Sequence, residues 1–205
     1  SYNLIKNLAG NAYYKTSFDS IKNKALVINV DYYGYQQTYD VNYKSKTLQP
    51  DFTEKGSTFL QFNAKPLDIT IRSATADYTH NTLLGIWQVG LKTAWTKVNN
   101  RSIWKKYEEE KWITDSSLTD QFLYNEYIQA AYGGFSGQFK QINIDVSLRA
   151  ENTFSEGASI VLKETYPRRY INLFPSAAIT YRLSTDHEWI IAYRRSIRRP
   201  LYKDI

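Results

Sequence analysis

The sequence predicts an all-β protein, an antiparallel up-and-down meander of about eight long strands that forms part of a transmembrane β-barrel. Three observations carry this. From Ile142 to Phe154, Ile142, Ile144, Val146, Leu148 and Ala150 alternate with Asn143, Asp145, Ser147, Arg149 and Glu151, the period of a strand with one apolar and one wet face. Several such segments exceed the ~5–6 residues usual in soluble proteins and approach the ~9–11 that cross a bilayer at a tilt. Their connections read short, long, short, long, which in a membrane barrel sorts tight turns to one side and long loops to the other.

Taken in order, Ser1 to Phe18 carries Tyr13, Tyr14 and Phe18 on a weak strand pattern, and Asp19 to Lys24 is a polar turn. Ala25 to Tyr43 alternates throughout, with Leu26, Ile28, Val30 and Tyr32 on one face. Lys44 to Ser57 reads as a long polar loop broken by Pro50, Asp51 and Gly56. Thr58 to Thr79 holds one or two extended pieces divided by Pro66, which cannot donate to a ladder; in the second, Leu67, Ile69 and Ile71 share a face. His80 to Thr82 is a tight turn into Leu83 to Val98, where Trp87, Val89, Leu91 and Trp95 line one face and Gln88, Gly90, Lys92 and Thr96 the other.

Asn99 to Phe122, charged from Lys105 to Lys111, is the longest irregular stretch. Glu126 to Phe139 is extended, with Ile128, Ala130 and Tyr132 on one face, and Lys140–Gln141 turns it into the strand at Ile142. Ser155 to Arg169 is another long loop with Gly157 and Pro167. Tyr170 to Leu183 and Glu188 to Arg199 are the last strands, joined by a turn at Ser184 to His187; Trp189, Ile191 and Tyr193 share a face of the second.

Composition fits the membrane reading better than a soluble core. Eighteen Tyr, 9 Phe and 5 Trp stand beside a mean hydropathy of −0.52. Rings cluster near strand ends, as in Tyr32, Tyr33, Tyr35, Tyr39 and Tyr43 or Trp87 and Trp95, where membrane interfaces collect them. No stretch approaches the ~20 apolar residues of a membrane helix. The net charge of +6 is spread along the chain and interleaved with acids, which argues against nucleic acid as a partner. With no Cys there is no disulfide scaffold or thiolate metal site.

Two motif groups carry a resemblance. Leu173-Phe174-Pro175-Ser176-Ala177, Tyr181-Arg182-Leu183 and the run from Tyr193 to Tyr202 form one; Leu148-Arg149-Ala150-Glu151 and Ala76-Asp77-Tyr78-Thr79-His80 form the other. Over Leu67 to Ile205 the chain resembles the outer-membrane β-barrel family of Bacteroidetes-type TonB-dependent transporters. Arg195, Ile197, Arg199, Pro200 and Tyr202 keep the family register, whereas Arg194, Ser196, Arg198 and Leu201 depart from it. The resemblance implies the Gram-negative outer membrane, a large plugged barrel of which 1–205 is a segment without the plug, and import of a glycan, peptide or metal chelate. Implied partners are outer-membrane lipid, the plug domain and a TonB-type energising protein. The alternatives are a small closed outer-membrane barrel with an adhesive or anchoring role, and a soluble antiparallel β binding protein.

No catalytic, cofactor or metal constellation is visible, and the chain reads as a non-enzyme. His80 and His187, the only histidines, fall in predicted turns as solvated side chains. Arg149, Glu151 and Arg194 are the lumen-facing candidates, read first as a wall ion network and alternatively as contacts to the plug or solute. Arg194, Arg195, Arg198 and Arg199 read as an anchor at the aqueous rim. Trp104, Tyr107 and Trp112 are the outer-loop ligand candidates, weighed against an ordinary solvated loop. Val146, Leu148, Trp189 and Ile191 are assigned to the lipid.

Overall fold

The computed structural model describes residues 1–19, 23–197 and 199. Nine strands are present among them: β1 (Tyr2–Ser17), β2 (Lys24–Leu48), β3 (Glu54–Thr82), β4 (Gly85–Glu108), β5 (Lys111–Thr114), β6 (Asp120–Phe139), β7 (Ile142–Ser159), β8 (Glu164–Arg182) and β9 (Glu188–Arg194). They make one antiparallel sheet in the order β1-β2-β3-β4-β6-β7-β8-β9, and β5 folds back on the end of β4. This is the expected meander. Among the described residues β1 and β9 are its two edges, so these eight strands form an open wall.

The strands are longer than the periodicity indicated. β2, β3 and β4 have 25, 29 and 24 residues, and the three expected long loops are largely strand. Lys44 to Ser57 contains the end of β2, a turn at Gln49–Thr53 and the start of β3. Asn99 to Phe122 is the outer third of β4, all of β5 and the start of β6, and Ser155 to Arg169 turns only at Ile160–Lys163. The cause is solvation: beyond the lipid, water meets both faces, so the alternation that marks a strand in sequence is no longer required.

Pro66 also leaves β3 continuous. It pairs with Thr38 of β2, and between Gln61 and Thr82 the ladder to β4 lacks only Lys65 and Pro66. The β3–β4 turn is Leu83–Leu84, which places His80 inside β3 and not in a turn. Gly85 closes that turn with φ 147°, and a Cβ there would lie 2.4 Å from the Ser136 carbonyl oxygen. At the far end β9 stops at Arg194, earlier than the expected Arg199.

Register assigns the two faces. One row crosses Trp95, Tyr127 and Phe154, and a second crosses Trp87, Phe135 and Val146. Between them lie Val89, Leu91, Ala131, Leu148 and Ala150, with Ile171 and Leu173 on β8; Ile191 of β9, in register with Ile179 and Ile144, continues the face one row beyond Trp87. This face is the lipid face. Trp87 to Trp95 spans eight steps, ~26 Å along the strand and roughly 20 Å of height at a ~40° tilt, close to the apolar band of an outer-membrane barrel. Val146, Leu148, Trp189 and Ile191 all lie on it. From Trp95 to Glu108, β4 runs another ~43 Å into the outer medium.

Candidate functional site

The opposite face carries the charges. One row on it reads Asp77, Gly90, Tyr132, Arg149, Phe174 across five strands. Because Gly90 has no side chain, the Tyr132 ring lies across it; a Cβ on Gly90 would sit 2.4 Å from the ring. Tyr132 thereby reaches over β4 to donate its hydroxyl to Asp77 Oδ1. The Arg149 guanidinium stands over the Tyr132 ring, 5.6 Å from its centroid.

Arg149 then forks onto Glu151, with Nε and Nη2 at 3.1 and 2.9 Å from Oε2. Glu151 is 3% exposed. Its second oxygen accepts from Thr153 at 3.3 Å and from Arg199. Arg199 Nε lies 3.9 Å from Glu126, which also accepts from the Tyr124 hydroxyl at 3.2 Å. Two arginines and two glutamates thus compensate one another on the lumen side of the wall, the arrangement that lets charge sit at membrane depth.

Of the expected lumen residues, Arg149 and Glu151 are joined in this network. Arg194 lies opposite Ser176 on the same face and is exposed, in no described ion pair. Arg199 departs from the expectation of a rim anchor, because its guanidinium turns inward onto Glu151. Arg195 follows the end of β9 and donates its backbone N–H to Pro175 O at 3.1 Å. Arg198, Pro200, Leu201 and Tyr202 lie outside the described residues. The meeting of Asp77, Gly90 and Tyr132, and the place of Glu126 beside Arg199, were not read from the sequence, since they depend on register between strands far apart in the chain.

The three outer candidates are divided between faces. Trp104 points inward, stacked on Tyr43 at 5.5 Å with its Nε1 donating to Ser102 Oγ at 3.1 Å. Tyr107 and Trp112 lie opposite each other on the outward face, 5.4 Å apart, with Phe62 6.3 Å from Trp112. The tyrosines of β2 divide likewise. Tyr32 belongs to the lipid-side girdle row with Arg72 and Trp95, whereas Tyr33, Tyr35, Tyr39 and Tyr43 face inward, correcting the expectation that all five sit at the membrane interface.

Two outer turns share one device. Asp51 Oδ1 accepts from Thr53 Oγ1 and N at 2.6 and 3.0 Å, and Asp115 Oδ1 accepts from Ser117 Oγ and N at the same distances. In each case the hydroxyl bond holds the carboxyl below its ordinary 3.8. Both turns lie outside the lipid. Among the described residues no group of three or more His, Cys, Asp and Glu is placed to hold a metal; His80 sits 6.4 Å from the Tyr78 ring, and His187 accepts backbone bonds in the exposed β8–β9 turn.

Comparison with known proteins agrees with this geometry. The chain is similar to the ferric citrate transporter FecA in its unliganded form, at TM-score 0.65 and 12% identity, covering 89% of this chain and 26% of that one. It is also similar to the ferric yersiniabactin uptake receptor FyuA from Yersinia pestis, at TM-score 0.48 and 12% identity over 88% of this chain and 27% of that one. The chain therefore spans about a quarter of the length of these structures. No curated protein matches it in sequence. A model of the outer membrane protein beta-barrel family matches residues 16–205, nearly the whole wall described above from the end of β1 through β9. A wall with one lipid face and one ion-bearing face, matched over that length, makes this chain a member of the outer membrane protein β-barrel family, resident in the outer membrane.

Proposed function

We propose that the chain is a segment of the barrel of a TonB-dependent outer-membrane transporter that imports a nutrient, a glycan, peptide or metal chelate. The observation that carries this is the sidedness of the sheet. Lipid-facing residues form an apolar band, the opposite face holds a self-compensated ion network at the same height, and the strands continue far beyond the band on one side only.

In this reading the open edges of β1 and β9 pair with further strands of a larger barrel, since an unpaired ladder within a bilayer is costly. Lipid surrounds the outer face, a plug fills the lumen against Arg149, Glu151 and Arg194, and a TonB-type protein supplies energy through that plug. The role is non-enzymatic, and nucleic acid has no part in it.

The test is nutrient uptake by cells that carry or lack the full-length protein, with and without the energising partner. Uptake lost in both deletions supports the reading. Uptake unchanged by either deletion, over glycans, peptides and metal chelates, overturns it.

A further inference from the structure

The ion network leaves a second inner-face feature unused. Above the girdle row of Trp95, β2 presents Tyr33, Tyr35, Tyr39 and Tyr43 inward, and Trp104 of β4 completes the series. Three of these rings, Tyr35, Tyr43 and Trp104, are fixed in place. Tyr35 packs on the buried floor of Leu67, Ile69 and Val98, and its hydroxyl donates to Gln37 Oε1 at 2.7 Å. Trp104 is held by the Tyr43 stack, by its bond to Ser102, and by its backbone N–H on Thr119 Oγ1 at 3.0 Å. Ser102 in turn accepts from the buried Asn63 amide at 3.2 Å.

The series is accessible: Tyr33 and Tyr39 are 38% exposed and Tyr43 39%. Tyr35, Tyr39 and Tyr43 follow one another at four-residue intervals, ~13 Å along the strand, short enough for a linear oligosaccharide to touch two at once. Amides flank them, including Gln37, whose Nε2 donates to Asn3 at 3.0 Å. Charge on this stretch is sparse. Asp31 accepts from Asn11 and Ser73, Asp120 opposite Ser102 accepts from Ser159 Oγ at 3.2 Å, and Lys106 is bound to Glu108 at 3.0 Å; Lys65, opposite Tyr39, lies among rings and amides.

We infer that this inner stretch is a binding track for a neutral oligosaccharide. The C–H faces of pyranose rings lie on the tyrosine and tryptophan faces, and sugar hydroxyls bond the amides between them. An anionic chelate calls for clustered cations, which the track does not offer. Rings already held by packing lose little freedom on binding. The inference rests on the transport reading and names its cargo class.

The experiment is tryptophan-fluorescence titration and calorimetry of the full-length protein in detergent with maltohexaose, cellohexaose and laminarihexaose, and with ferric citrate as the anionic comparison. At least one hexasaccharide binds, and Tyr39→Ala, Tyr43→Ala and Trp104→Ala each weaken it about tenfold. Tyr39→Phe and Tyr43→Phe bind nearly as the wild type, which separates ring stacking from hydroxyl bonding. Thermal unfolding of each variant separates lost binding from lost folding. The track is overturned if no hexasaccharide binds, or if the triple alanine variant, folded, binds as the wild type. Ferric citrate binding with energised uptake of that chelate alone would overturn the track and leave the transport reading standing; loss of all energised uptake would bring down the transport reading itself.

Discussion

Replacing Gly90 with alanine tests how the inner wall is assembled. The added Cβ would lie 2.4 and 2.5 Å from the Tyr132 ring and 2.6 Å from Asp77 Oδ1. The ring cannot yield toward β7, where Arg149 stands over it, so it must lift off β4 and release Asp77. Overpacking of this kind costs about 1–3 kcal/mol, and a lost hydrogen bond to a charged group about 1.5–3 kcal/mol. Since the lumen partly solvates the freed groups, the expected sum is roughly 3 kcal/mol. The assay is urea unfolding of the full-length barrel in lipid vesicles, for Gly90→Ala alone and in a Tyr132→Ala background. With the ring gone, the same substitution should cost under about 0.5 kcal/mol, because the two residues no longer share a contact. An equal cost in both backgrounds would refute the proposed ring-over-glycine packing.

Glu151→Leu should destabilise by about 3–5 kcal/mol, because it strands Arg149 and Arg199 on the wall; the same vesicle assay reads it, and a change near zero would show that the network is decorative. Leu148→Arg, on the lipid face, should cost about 2–4 kcal/mol of folding into vesicles, while Ser147→Arg next to it should be nearly neutral. At the outer turns, the lowered carboxyls of Asp51 and Asp115 make a contribution that is fully present above the ordinary 3.8 and is lost as pH falls through their folded values. Protection of the Thr53 and Ser117 amides, their exchange rate relative to that of an unstructured chain at the same pH, should therefore fall below about pH 4 and hold above it; protection that does not change with pH would contradict the bonds to those carboxylates.

Much of the wall was readable in the sequence because lipid enforces it. The Ile142-to-Phe154 alternation and the Trp87-to-Trp95 face each left a local mark, whereas Pro66 suggested a break that β3 does not have. Where water bathes both faces the mark fades, so the outer ends of β2, β3 and β4 read as loops. β3 shows a further consequence: Leu67, Ile69 and Ile71 face the lumen, where Tyr35 covers the floor, while Asp68, Thr70 and Arg72 face outward near and above the girdle. Parity alone could have separated Trp104 from Tyr107 and Trp112, and Tyr32 from Tyr33. Register could not be inferred so simply. Tyr132 and Asp77 are 55 residues apart, and Arg199 and Glu151 are 48 apart; each pair meets only once the strands between them are aligned.

The central claim is that adjacent residues of β7 face opposite solvents. The chain has no cysteine, so Ile144→Cys, Asp145→Cys, Val146→Cys, Ser147→Cys and Leu148→Cys can each be spin-labelled in the full-length protein, in a cysteine-free background, and reconstituted in vesicles. Relaxation by oxygen dissolved in the bilayer should be strong at 144, 146 and 148, and relaxation by a water-soluble nickel complex strong at 145 and 147. Uniform access to the nickel complex at all five positions, or no alternation between them, would contradict the membrane-wall account.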